Sequence, residues 1–283
     1  MKRLMKYYVI AGRTVEEQAS LLSSPADRRK PRGVRRAGSS SEAKIKANER
    51  SSALRLARLI GCNFSAGDGF VTLKYDAAHY PGSMSPGENI PGAQGFERAA
   101  GDLERFLRKL RRAYRRSTGK TLAAVWQTAN FSPRRQAPAR LHQHLVVPAD
   151  AVALAREIWP VFGGAGTVIV RDLDQDPDRT ALAEYMTANV SGRTPGMKGW
   201  SGSRGLIKPV FSEPEEIGSA EEITPPKGAV IRDVREVTDE DGIVIGKYIR
   251  YVLPERPRVR GGQIVMPRER KRGGRHAVPE DVR

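Results

Sequence analysis

Two histidines one residue apart, His142 and His144, stand in the stretch Arg140-Leu-His-Gln-His-Leu-Val-Val147, which is β-prone and apolar at its far end. In an extended strand side chains alternate between faces, so both imidazoles point the same way. Two neutral imidazoles that close can share one divalent metal ion. A bare His-x-His also occurs on edge strands with no ligand, so the pair acquires meaning only from what surrounds it. Tyr185, inside a helical pattern over 181–188, is a second residue with nucleophilic chemistry, although a tyrosine there is ordinarily an amphipathic helix residue. Cys62 is the single cysteine, which excludes an internal disulfide framework and a thiolate metal cluster.

The elements that must position these groups follow from periodicity. Residues 41–60 carry an apolar stripe of Ile45, Ala53, Leu56, Ala57 and Ile60, a helix expected to stop before Gly61. Asp68-Gly69 turns into an alternating strand over 70–75, with Phe70, Thr72 and Lys74 on one face and Val71, Leu73 and Tyr75 on the other. Residues 76–96 read as a loop. Residues 97–116 form the clearest helix: Leu103, Phe106, Leu107, Leu110 and Tyr114 make one buried face, and seven Arg or Lys residues crowd the rest. A strand over 122–128 leads through Ser132-Pro-Arg-Arg to the histidine strand, its antiparallel neighbour. Helices are expected through 154–159 and 181–188, with a strand over 167–171 between them. Asp172-Leu-Asp-Gln-Asp-Pro-Asp178 is an acidic loop without the glycine and terminal glutamate of a calcium loop. Residues 191–207, rich in Gly, Ser and basic residues around Trp200, suit phosphate contact and base stacking. Residues 229–252 read as a β-hairpin turning at Asp241-Gly242.

The chain of 283 residues carries a net charge of +17 and a pI near 10.3. A field of that size draws in polyanions, nucleic acid first among them. No apolar run approaches the ~18 residues of a spanning helix, and the basic, then apolar start is too short and aromatic for a secretory leader. A cytoplasmic protein without membrane partners is expected. Residues 1–40 read as a largely disordered basic arm after a short N-terminal element, 41–253 as one folded domain that includes the hairpin 229–252, and 254–283 as a disordered basic tail.

In order and spacing, four stretches resemble the HUH rolling-circle replication initiators of phages and plasmids. They are the helix around Asn48-Glu-Arg50 leading into Asp68…Tyr75, the Arg140–Val147 strand, Leu182-Ala-Glu-Tyr-Met186, and Trp200–Pro209 followed by Pro226-Lys-Gly228 and the hairpin. The likeness covers about residues 45 to 253. It implies an α+β fold: an antiparallel sheet of about five strands with the histidine strand central, flanking helices, the C-terminal hairpin and the basic tails. It also implies an endonuclease that nicks single-stranded DNA at a replication origin. A divalent metal ion, Mg2+ or Mn2+, would be held by His142 and His144. Tyr185 would attack the phosphorus, forming a 5′-phosphotyrosine and freeing a 3′ hydroxyl. A phenol with its usual pKa of about 10 needs cationic surroundings for that task.

The chain departs from the family pattern at three places. Gln143 replaces a large apolar residue, Ala188 stands where a lysine is usual, and no acid lies between Glu104 and Asp150, which leaves Gln127 or Asn130 as third ligand. Lys198 or Lys208 could supply the missing charge. Arg140, Arg204 and Lys208 are the expected phosphate contacts, Gln127 the expected third ligand, and Tyr75 and Tyr80 the competing nucleophiles. Host helicase and polymerase are the expected protein partners, since no G-x-x-x-x-G-K-[ST] fingerprint is present. Two rival readings stand beside this one. The first is a non-catalytic basic DNA-binding accessory protein; the second is a related single-tyrosine transposase or relaxase, the latter calling for His79 as a third histidine.

Overall fold

The computed structural model describes residues 3–22, 42–82, 93–189, 199–240, 242, 244–260 and 263–265. Strands β1 (Arg3–Ala11) and β2 (Thr14–Leu22) precede helix α1 (Glu42–Asn63), β3 (Gly69–Lys74) and helix α2 (Ala93–Thr118). Then come β4 (Val125–Ser132), β5 (Ala137–Val147), α3 (Val152–Ile158), α4 (Pro160–Gly163), β6 (Val168–Asp172) and α5 (Thr180–Ala188). The chain continues through β7 (Ser201–Gly202), β8 (Val210–Phe211), β9 (Glu215–Glu216), β10 (Val230–Thr238), β11 (Val244–Val252), β12 (Arg258–Arg260) and β13 (Gln263–Val265). The fold is α+β with two antiparallel sheets, and no helix among the described residues is long and apolar enough to cross a membrane.

The first sheet runs β6-β3-β5-β4-β7, with the histidine strand in the middle. Its three inner strands are largely buried on both faces. Val71, Leu73, Leu141 and Leu145 pack against Leu103, Phe106, Leu107 and Leu110 of α2 and against Trp159. Phe70, Val125 and Val146, one residue out of phase, pack against Leu56 and Ile60 of α1 and Ala183 and Met186 of α5. The period of two thus feeds two separate cores, and the period of 3.6 in α2 supplies the matching stripe.

The second sheet corrects the expected domain plan. Residues 3–22 are a regular hairpin of two nine-residue strands, not part of a disordered arm. β2 pairs along β11 from Thr14↔Val252 to Ser20↔Gly246, so the C-terminal hairpin is the other half of one sheet, in the order β10-β11-β2-β1-β8. Neither hairpin has a core alone. Ile10, Val15, Ala19, Ile249, Tyr251 and Leu253 bury one another beneath Ala220 and Ile223. The expected disordered tail also needs correction: β12 and β13 pair antiparallel within it. The rest of the arm (23–41) and of the tail (266–283), the basic segment 190–198 with Lys198, and Asp241 of the hairpin turn lie outside the described residues.

Two devices join the sheets. Helix α1 continues past its expected stop to Asn63, and the β1–β2 turn packs closely on its backbone at Gly61, where a Cβ would lie 3.2 Å from the Ala11 carbonyl oxygen. A Cβ at Gly12, whose φ is +68°, would lie 2.3 Å from the Gly61 carbonyl oxygen. The acidic loop is the second device: Asp176 pairs with Arg232 (2.8 Å) and Asp178 with Arg250 (3.2 Å), both on the C-terminal hairpin. The carboxylate of Asp178 also accepts the Thr180 N–H at the start of α5 (3.0 Å), so the same loop sets where that helix begins.

Candidate active site

Register builds the site. Across three strands, Thr72, His144 and Gln127 form one rung, and Lys74, His142 and Ala129 the next. Directly opposed residues stand about 5 Å apart at Cβ on one face, so these side chains converge. The Nε2 atoms of His142 and His144 are 3.0 Å apart. His142 Nδ1 lies 2.8 Å from the Arg140 carbonyl oxygen, which can only accept, so Nδ1 carries the proton and Nε2 keeps a lone pair. His144 Nδ1 lies 3.1 Å from Thr72 Oγ1. Each ring is therefore held at Nδ1 with its Nε2 turned toward the other, the orientation that outer partners give to metal-binding imidazoles. Burial, then the Lys74 charge, lowers the His142 pKa against the opposing pull of the Arg140 carbonyl. Burial, then His142, lowers that of His144 well below the ordinary value. Both rings are thereby held neutral, as ligands must be.

Gln127 is 2% exposed, and neither amide atom of its side chain has a hydrogen-bond partner. A buried amide left unpaired costs about 1–3 kcal/mol. Its register opposite His144 puts it on the face of the two imidazoles, where its amide oxygen would be the third donor to a bound cation. Nitrogens 3.0 Å apart are also at the spacing set by two ~2.1 Å metal–nitrogen bonds at roughly a right angle. Among the described residues no group of three or more His, Cys, Asp or Glu converges, so a cation here would rest on two imidazoles and an amide. The residues present fit a divalent ion with an incomplete shell, open to substrate oxygens.

Tyr185 reaches the histidines from α5. Ala183 and Met186 anchor the helix in the core, which leaves Tyr185 on its outer side, 43% exposed. The helix end is fixed by a bulge in β4: the N–H groups of Asn130 and Phe131 both donate to the Asn189 carbonyl, at 3.0 and 3.1 Å. The Asn189 side-chain amide in turn donates to the Tyr185 carbonyl at 2.6 Å. The Tyr185 ring packs edge-on to His144 (5.6 Å) and to Phe70 (6.1 Å), and Phe70 stacks on His144 at 5.1 Å. These rings line one cleft of about 540 Å³, whose walls also carry Lys74, Arg135, Arg140 and Arg171. Three of those cations, and the platform of Phe70, were not singled out from sequence as site residues. Strand alternation aligned Lys74 and Phe70 with Thr72, but only the register places them beside His142 and His144.

Of the other candidates, Arg140 stays at this cleft. The Arg140 guanidinium lies over the Tyr80 ring at 4.7 Å while its carbonyl orients His142. Arg204 is elsewhere, in a cleft of about 1190 Å³ shared with Arg55, Arg111, Trp126 and Trp200. Lys208 is exposed and lines neither cleft. Tyr75 projects to the α2 side, where its oxygen accepts from Gln143 (2.9 Å) and burial raises its pKa. Tyr80 accepts the Leu141 N–H at 3.0 Å. Neither rival tyrosine is packed on the histidines as Tyr185 is. His79 is paired with Asp76 at 2.8 Å and lines a different cleft, so it is not a third member of the cluster. Asn130 serves the helix anchor through its N–H.

No protein-family model, curated protein or solved structure matches this chain. The functional reading rests on the site itself.

Proposed function

We propose that the protein is a DNA nickase of the HUH rolling-circle type, which cuts single-stranded origin DNA through a covalent tyrosine intermediate. The observation that carries this reading is the placement of the Tyr185 ring against a converging His142/His144 pair in a basic cleft. His142, His144 and Gln127 would hold the metal ion, Mg2+ or Mn2+, which as a Lewis acid polarises a non-bridging phosphate oxygen. Lys74, Arg135, Arg140 and Arg171 neutralise the backbone phosphates and orient them in the cleft. The Tyr185 oxygen attacks phosphorus, the bond from phosphorus to the 3′ oxygen breaks, and that oxygen takes a proton to become a free hydroxyl. The phenolic proton passes to solvent at the cleft mouth. One phosphodiester is exchanged for another, so the link to the 5′ side can later be resealed. Phe70 and Asn189 act as positioning residues for His144 and for the helix that carries Tyr185. On this reading the protein works in the cytoplasm beside a host helicase and polymerase, and Arg204 with its two tryptophans accommodates DNA outside the cutting site.

The test is incubation with labelled single-stranded DNA from its own replicon, with and without Mn2+, resolved on a denaturing gel. A metal-dependent nick and a protein–DNA adduct are expected, both lost in Tyr185→Phe and in His142→Ala/His144→Ala. An adduct that survives Tyr185→Phe would move the nucleophile. Salt-sensitive binding without a nick in any metal would replace the reading with that of a basic DNA-binding accessory protein.

A further inference from the structure

Strand β10 ends the second sheet, and among the described residues no strand pairs its outer edge. Such an edge offers N–H and C=O groups to another strand. Every residue of β10 except Asp233 is exposed. Val230, Ile231, Val234 and Val237 are 47–59% exposed and make up four of the twelve exposed large hydrophobic side chains among the described residues. Edges that stay unpaired are commonly blunted by charged side chains, lysine above all, which repel a second copy when their sign is uniform. Here the signs alternate: Arg232, Asp233, Arg235 and Glu236.

The order Ile-Arg-Asp-Val-Arg-Glu-Val over 231–237 is complementary to its own reverse. Laid antiparallel on a second copy about Val234, Asp233 faces Arg235, Arg232 faces Glu236 and Ile231 faces Val237. Directly opposed residues in an antiparallel pair are of the same hydrogen-bonding type, so a two-fold axis must pass through a residue. An axis at Asp233, Arg235 or Glu236 would oppose two like charges on the axis, whereas Val234 opposes none. Register shifts against β11 lie between Ile231 and Asp233 and between Val237 and Thr238, so the regular part of such a ladder is 233–235, flanked by Arg232 and Glu236. Asp233 and Arg235 already pair along their own strand. A second copy would close them into a ring of four alternating charges.

We propose that β10 is a self-association edge: a second copy of this chain pairs antiparallel about Val234, making one continuous sheet from two six-stranded ones. This surface is independent of the proposed cutting cleft. Sedimentation equilibrium of the full chain, nuclease-treated and free of nucleic acid, at about 0.15 M salt where close ion pairs are only partly screened, should show a reversible monomer–dimer equilibrium. Arg235→Glu opposes the new carboxylate to Asp233 of the second copy and should raise the dimer dissociation constant at least about tenfold. The double swap Asp233→Arg/Arg235→Glu should recover the dimer. Circular dichroism checks the fold, and Val234→Lys, which sets two ammonium groups on the axis, should weaken the dimer without touching the Asp233–Arg235 pair. A chain monomeric throughout the micromolar range overturns the proposal. So do an Arg235→Glu or Val234→Lys dimer as tight as the native one and a double swap without recovery.

Discussion

The two faces of the histidine sheet each bury a glutamine, and they treat it in opposite ways. On the α2 side, the Gln143 side chain accepts from the Thr128 hydroxyl (2.7 Å) and donates to the Tyr75 oxygen and the Ala99 carbonyl (both 2.9 Å). It is fully buried and ties β4, β5, β3 and α2 together. On the α1/α5 side, Gln127 is almost as buried, and its amide has no partner at all. A buried polar group that is satisfied fixes a fold, while one left open is a reserve that a ligand can use. One face is finished as structure; the other is left incomplete beside the only pair of facing histidine nitrogens among the described residues.

Substitutions can break this contrast. The largest expected effect is on chemistry: Tyr185→Phe should reduce adduct formation at least ~1,000-fold, as loss of a nucleophile does, with DNA affinity unchanged in a filter-binding assay. Tyr75→Phe, on the finished face, should leave cutting unchanged. Gln143→Leu should lower unfolding free energy by about 2–3 kcal/mol in urea, because it strands the buried Thr128 hydroxyl and removes the donor to the Tyr75 oxygen. Gln127→Met should do the reverse. Removal of an unpaired buried amide should stabilise the metal-free protein by about 1 kcal/mol, and the Mn2+-dependent rise in Tm expected of the native chain should shrink. If Gln127→Met instead destabilises the metal-free chain, the two faces are not different in kind.

The smallest expected effect is in the second sheet. Glu17 is buried there, with the Tyr251 hydroxyl 3.4 Å away, and burial raises its pKa against the lowering by its hydrogen bonds and by Lys6. A carboxyl whose folded pKa is raised favours the fold when protonated. That contribution is complete below the unfolded value of about 4.3 and is lost as pH rises through the folded value. Glu17→Gln should therefore gain stability relative to the native chain as pH is raised from about 4 to 7, read as a converging or crossing of urea midpoints. Parallel midpoints over that range would mean that Glu17 is not the group that titrates.

The parts of the site that were legible in sequence are those set by local periodicity. The stripe Leu103, Phe106, Leu107, Leu110 and Tyr114 gives α2, and all five are buried as expected. Alternation through Leu141, His142, Gln143 and His144 sends the glutamine to one core and the histidines to the other face. The β1–β2 hairpin was missed because the strand that completes its sheet, β11, lies more than two hundred residues away, and nothing nearby marks Glu16 or Glu17 as sheet residues. The bulge in β4 that lets Asn130 and Phe131 hold the end of α5 has no signature in Thr-Ala-Asn-Phe. Ala188, at the place where a lysine is usual in the resembled pattern, is on the exposed side of α5, and cations from β3, the β4–β5 turn, β5 and β6 line the cleft.

By itself, the sequence determined which segments are helix and strand around the site, and that His142 and His144 share a face. Those properties have periods of 2 and 3.6 residues and need no distant partner. Tertiary structure alone decided that Gln127 stands opposite His144, that Tyr185 rather than Tyr75 or Tyr80 meets the pair, and that the two chain ends make one sheet. Register and packing compare residues tens to hundreds of positions apart. No local window of the chain contains both sides of that comparison.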